Sequence, residues 1–244
     1  MLADRLQMAA SNSKFEVQAA DFDGTNDYML RGADHTGAVD SNSGVFSVFF
    51  RLDGGNGANR TFFTLIPSSQ TYIATNNKLN MYWVGAVDGL WRSSTSLTSG
   101  TAWRHLLSSW DRGSATPQLY IDDTSDISIA ANGSGAFDYT RGEFSTGSDN
   151  SGGSPFNGAM AEFYFAPGQY LDFSVEANRR KFITASGKPV DLGTDGSTPT
   201  GTAPIVYHSL RPGDAATVFA NNKGSGGNST ITGTLDIASS SPSD

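Results

Sequence analysis

The chain of 244 residues contains no cysteine. Disulfides, thiolate nucleophiles and cysteine-based zinc sites are therefore excluded. Positive charge is also scarce: 16 Lys and Arg stand against 24 Asp and Glu, for a net charge of −8. A protein that neutralises phosphates, or that sits on anionic lipid, needs the opposite balance. No apolar run reaches the ~18 residues of a membrane helix. The opening MLADRLQMAASNSK is too weakly apolar for a secretory h-region. These absences predict a protein made without export, with no membrane insertion and no nucleic-acid partner. Glutamate is confined to Glu16, Glu143, Glu162 and Glu176, none with a carboxylate two or four residues along a strand. The carboxylate pair that a retaining glycosidase holds about 5–5.5 Å apart is not written into any strand. His35, His105 and His208 are far apart in sequence and lack metal-ligand spacing.

What the chain has in abundance is turn chemistry and aromatic residues. Twenty-eight glycines accompany frequent Ser, Thr, Asn and Asp, and 11% of the chain is aromatic. Short alternating runs such as FEVQAADF, RTFFTLIP, KLNMYWVG, WRHLLSSWD and PQLYIDDT are separated by turn signals, the pattern of a sandwich or barrel. In GVFSVFFRL, Phe46, Val48, Phe50 and Leu52 share one face and Val45 and Phe49 the other. That predicts a central strand covered on both sides. The stretch AADFDGTNDYML fails the spacing of a calcium-binding EF-hand loop, because the sixth position from Asp21 is Asn26 and the twelfth is Gly32. It reads instead as a hairpin turn between two strands. Asp122 and Asp123 read as strand neighbours that point to opposite faces.

Residues 1–14 form a polar lead-in and residues 15–170 the sandwich. Residues 171–187 are expected to hold one short helix, N-capped by Ser174. In the Gly/Pro/Ser-rich tail, 188–244, apolar islands at Ile205–Tyr207, Leu210, Val218–Phe219 and Ile231–Ile237 are too few for a core of their own. They are expected to dock as strands on a sheet edge, either of the chain's own sandwich or of another subunit. The tail is expected to be the assembly element.

Four ordered segments, DFDGTNDYM, FSVFFRL, WRHLLSSWD with PQLYIDDT, and FNGAMAEFYFAP, resemble the laminin-G-like branch of the concanavalin A-like lectin/glucanase superfamily. The resemblance implies an all-β, two-sheet antiparallel jelly-roll-like sandwich. Residues RRKFITASGKPVDLGTDGSTPTGTAPIVY resemble the C-terminal region attached to such domains in tailed-bacteriophage virion proteins. That implies a non-enzymatic virion structural protein, capsid-decorating or tail-associated, made in the host cytoplasm. Its implied partners are other virion proteins, further copies of itself and cell-surface glycans; the alternative is a glycan-processing enzyme of the glucanase branch. The family's structural calcium uses an aspartate where this chain has Ala161, so an ion would have to rely on Asp23 or Asp27 with Asp149. For carbohydrate, Trp91 after the Asp88-Gly89 turn is expected near the surface, with Asp149 and Asn150 in a neighbouring loop. Trp103 and Trp110 are expected to be buried.

Overall fold

The computed structural model describes residues 15–65, 69–113, 115–149 and 152–244. These hold sixteen strands. The first four are β1 (Ala20–Asp23), β2 (Tyr28–Arg31), β3 (Ser43–Leu52) and β4 (Arg60–Leu65). A meander follows through β5 (Ser69–Ile73), β6 (Lys78–Trp83) and β7 (Gly89–Ser96), then β8 (Arg104–Asp111) and β9 (Ala115–Ile121). Next come β10 (Thr124–Ser125), β11 (Ile127–Ala131), β12 (Phe144–Thr146) and β13 (Asn157–Pro167). The only α-helix among the described residues, α1, is Glu176–Arg179. It precedes β14 (Val206–His208), a 3-10 turn at Ala216–Ala220, β15 (Thr230–Thr232) and β16 (Asp236–Ile237).

These strands form two antiparallel sheets packed face to face. The first runs β10-β9-β8-β3-β13-β1-β16, with β14 also paired to β13, and the second runs β11-β7-β6-β5-β4-β12-β2-β15. The all-β sandwich is thus the fold. β3 lies between β8 and β13, and its alternation separates as the pattern requires. Phe46, Val48, Phe50 and Leu52 enter the inter-sheet core. On the other side, Val45 packs with Leu107, Tyr164, Phe173 and Phe182, and Phe49 packs with Val17, Ala159 and Ile183. The first sheet is therefore covered twice, by the second sheet within and by the 171–192 segment outside. That double cover is why β3 and β13 are buried at nearly every position.

Several expectations need correction. β1 and β2 do not form a hairpin, since β1 joins the first sheet and β2 the second. The Asp23–Asp27 turn is a corner between sheets. Gly24 sits there at φ +72°, and a Cβ would strike Asn157, so only glycine fits. Asp122 and Asp123 are the two residues of the β9–β10 turn, at φ 51° and 65°, left-handed values suited to a two-residue hairpin. Strand β11, Ile127–Ala131, falls where the sequence analysis assigns no strand. The helix is a single turn whose N-cap is Val175, not Ser174, because Ser174 Oγ donates to Asp172 (2.7 Å) instead.

The tail folds back on its own domain: β14 extends along β13, β15 covers β2 and β16 covers β1. Val206, Leu210, Phe219 and Leu235 belong to the inter-sheet core, so the tail is part of the sandwich and not a detachable arm. Its strongest polar attachment is at Glu162. There the β13–β3 register shifts between Ala161 and Tyr164, and Glu162 adopts φ +47°, a strained value for a non-glycine residue. The carboxylate is 2% exposed and accepts hydrogen bonds from Tyr207 Oη (2.6 Å), Ser209 Oγ (2.5 Å) and Arg211 Nη1 (2.6 Å). All three donors come from the tail.

Candidate functional site: a groove on the outer face of the first sheet

A groove of about 660 Å³ opens on the outer face of the first sheet. Phe49 on β3 and Arg104 and His105 on β8 contribute its floor, and the Asp122–Asp123 turn one wall. The Ile183–Lys188 segment and the stretch 240–244 supply the others. Trp103, just before β8, lies half-buried at the rim. Its indole Nε1 donates to Ser240 Oγ at 3.0 Å, and the Arg51 guanidinium stands 5.8 Å from its ring centroid. The ring is thus fixed by a hydrogen bond at its edge.

The charged groups of the groove are held in register by the hairpin turn. Asp122 pairs with Arg104 Nε and accepts the His105 amide at 2.8 Å. Asp123 bridges two guanidinium groups, Arg179 Nε at 2.6 Å and Arg180 Nη2 at 2.7 Å. Partial desolvation opposes its ionisation, yet hydrogen bonds from Arg180 and Arg179 hold the carboxyl below the usual carboxylate range. Beneath them His105 is fully buried, stacked on the Phe49 ring at 4.2 Å, with Nε2 2.9 Å from Ser47 Oγ. Desolvation pushes its imidazole down to about 3, with Asp123 pulling the other way, so the ring is neutral at pH 7. An aromatic face, fixed hydrogen-bonding charges and the hydroxyls of Thr101, Thr124, Ser186 and Ser241 together suit a polyhydroxylated ligand. Aromatic rings meet apolar C–H faces while planar charged groups read hydroxyls.

The residues expected from sequence lie elsewhere. Trp91 is completely buried, its Nε1 donating to Ser108 Oγ at 3.1 Å and its ring packed 5.3 Å from Trp110. It follows a turn, but strand parity decides its direction: Gly89, Trp91 and Ser93 alternate inward along β7. It presents no face to a sugar. Trp110 is buried as expected, whereas Trp103 is half-buried and lines the groove. Asp149 is half-buried and closes its own loop, accepting from Ser154 Oγ at 2.6 Å while its amide donates to Gly153 O at 2.7 Å; Asn150 lies outside the described residues. Asp23 and Asp27 serve the backbone of the corner. Asp23 Oδ1 accepts the amides of Thr25 (2.7 Å) and Asn26 (3.1 Å). Asp27 Oδ2 accepts the Asp23 amide (3.1 Å) and Oδ1 the Thr234 amide (2.7 Å). Asp149 does not line the cleft at Asp23 and Asp27. Among the described residues no three His, Asp or Glu side chains converge to hold a metal ion.

A laminin G family model, described as concanavalin A-like lectin/glucanases superfamily, matches residues 23–168, more than half of the chain. The chain belongs to this superfamily. No curated protein matches it. Among solved structures, a Bacteroides ovatus protein provisionally assigned to carbohydrate binding superposes with a TM-score of 0.65 at 15% identity. That superposition covers 92% of this chain and 60% of the other, so the chain spans less than two thirds of that protein. A heptameric SAP-like pentraxin from Limulus polyphemus gives 0.46 at 11% identity, over 64% of this chain and 78% of that one. Domain 4 of a GH43 extracellular arabinanase from Geobacillus stearothermophilus, solved with arabinotriose, gives 0.44 at 20% identity, over 64% and 73%. At these identities the likeness is one of fold. Within this superfamily member, Asp122 and Asp123 carried a local signal, two turn-forming residues before a second short β run. The walls at 183–188 and 240–244 carried none, since their approach to β8 is a product of the tertiary fold.

Proposed function

We propose that the protein is a non-enzymatic glycan-binding protein and that the groove beside Trp103 is where it binds. The observation that carries this reading is a 660 Å³ groove in which a half-buried tryptophan faces hydrogen-bonding groups fixed by Arg104–Asp122 and Asp123–Arg179 pairs. The lectin-like fold supports it, as does the provisional carbohydrate-binding assignment of the Bacteroides ovatus structure. Absence of turnover is part of the proposal: Asp123 stays ionised under two arginines and His105 stays neutral, so neither is ready to donate a proton to a glycosidic oxygen at neutral pH. The test is a glycan array followed by titration calorimetry on the best ligand. Trp103→Ala is expected to weaken binding about ten-fold, in line with roughly 1–1.5 kcal/mol for a stacked aromatic contact. Unchanged affinity in that variant would remove the groove from the reading, and release of reducing ends from any polysaccharide would overturn the non-enzymatic part.

Display on a bacteriophage particle, capsid-decorating or tail-associated, remains a proposal resting on the 179–207 resemblance. Antibody labelling of purified particles tests it; labelling confined to soluble lysate would refute it.

A further inference from the structure

Arg51 shares the outer face of β3 with Phe49, two residues before it. Its guanidinium is locked by Asp53, which accepts Nε on Oδ1 and Nη2 on Oδ2, both at 2.7 Å. A planar fork held on one side has its remaining donor aimed. That donor, Nη1, gives a hydrogen to Ser240 Oγ at 2.7 Å. Trp103 Nε1 donates to the same oxygen at 3.0 Å. A guanidinium and an indole N–H can only donate, and a hydroxyl oxygen offers two lone pairs. Both lone pairs of Ser240 are thus filled, and its own hydrogen has to point away from Arg51 and Trp103. Among the described residues no side chain or carbonyl accepts that hydrogen. Ser240 lines the groove, and it also lines a neighbouring cleft of about 340 Å³ beside Glu16 and Ile237. Its hydroxyl therefore stands where the two clefts meet, beside the indole.

We propose that Ser240 is the specificity-determining donor of this site: its hydroxyl hydrogen is held free for an oxygen acceptor of the glycan, at the edge of the sugar lying against Trp103. The inference rests on the groove being the glycan site. A hydroxyl that accepts from a cation is polarised and becomes a stronger donor. Arg51 does not reach the sugar and is a positioning residue, acting through Ser240. One serine oxygen thereby does two things: it fixes the ring that stacks and presents a hydrogen in a known direction beside it.

The experiment is calorimetric titration with free cello-, xylo- and chito-oligosaccharides, alongside the indole N–H resonances of the tryptophans. Ser240→Asp keeps an acceptor for Arg51 and Trp103 but carries no hydrogen at neutral pH. It is expected to leave the Trp103 indole hydrogen-bonded and the thermal transition in place, and to bind about three- to ten-fold more weakly. Ser240→Thr, which keeps both functions, should bind as the wild type does. Ser240→Ala should lose the affinity and also move the Trp103 resonance. Affinity in Ser240→Asp equal to or above that of the wild type overturns the proposal. If Trp103→Ala still weakens binding in that case, the groove stands and only the role of Ser240 falls. Binding of none of the probes, or binding indifferent to Trp103→Ala, removes the groove and this proposal together.

Discussion

Truncation after Gly187 separates two views of the tail. If residues 188–244 were an arm laid on a finished sandwich, their removal would leave the domain folded. The structure gives the opposite expectation. Val206, Tyr207, Leu210, Phe219 and Leu235 are each at most 4% exposed. Burying a side chain of this size contributes about 1.5–3 kcal/mol, so these five alone account for roughly 8–15 kcal/mol. That equals the whole stability of a typical domain, about 5–15 kcal/mol. The truncation also strands the buried Glu162 carboxylate without Tyr207, Ser209 and Arg211, and lone buried charges are costly. All four tryptophans, Trp83, Trp91, Trp103 and Trp110, precede the cut, so fluorescence reports on what remains. The 1–187 chain is expected to show red-shifted emission, no near-ultraviolet dichroism and no cooperative urea transition. Blue-shifted emission with a cooperative midpoint close to that of the full chain would refute the reasoning. A milder change in the same place is Phe219→Ala, whose ring packs edge-on to Phe22 at 6.4 Å. It should cost about 3–5 kcal/mol and lower the thermal midpoint by roughly 6–20 °C.

Arg211→Met should destabilise by about 2–3 kcal/mol, because it leaves a buried Glu162 carboxylate with hydroxyl donors only. Adding Glu162→Gln should recover part of that loss in a double-mutant cycle, and strictly additive losses would argue against the pair. Burial lowers His35 to about 4 and His105 and His208 to about 3, against about 6.5 in the unfolded chain. The unfolded state therefore binds protons first as pH falls. Stability should be full above pH ~6.5 and decline toward pH 4, by up to about 4 kcal/mol per pH unit when all three contribute. Urea midpoints at a series of pH values check this, and His105→Phe should reduce the slope by about a third. Trp91→Ala should lower stability by about 3–5 kcal/mol without any specific loss of glycan affinity per folded molecule, the reverse of Trp103→Ala.

How far the sequence could be read follows from the range of the interactions involved. Phe46, Val48 and Phe50 against Val45 and Phe49 announce a central strand, because side-chain alternation is a property of adjacent residues. The ordered segments from DFDGTNDYM to FNGAMAEFYFAP announce the sandwich on the same local basis. The β1–β2 corner was misread because a Gly-Asn turn looks alike whether its strands pair with each other or enter different sheets. Trp91 was misplaced because proximity to a turn was weighed above its parity with Gly89 and Ser93. The groove was out of reach for a different reason. Trp103 meets Ser240 across 137 positions of sequence, and no local pattern encodes that meeting.

The corner between the sheets sets the timing of folding. β1 and β2 acquire their outer neighbours only from β16 and β15, and Asp27 waits for the Thr234 amide, 207 positions away. At about 5–20 residues per second of synthesis, the two earliest strands stand on the ribosome for roughly 10–40 s before the chain that seals them has been made. Throughout that interval both sheets are open on the side where the protein began. Nascent copies on one polysome carry matching open edges at the same moment. A cell that makes this protein must either space those chains or shield them until Thr230–Ile237 has been made.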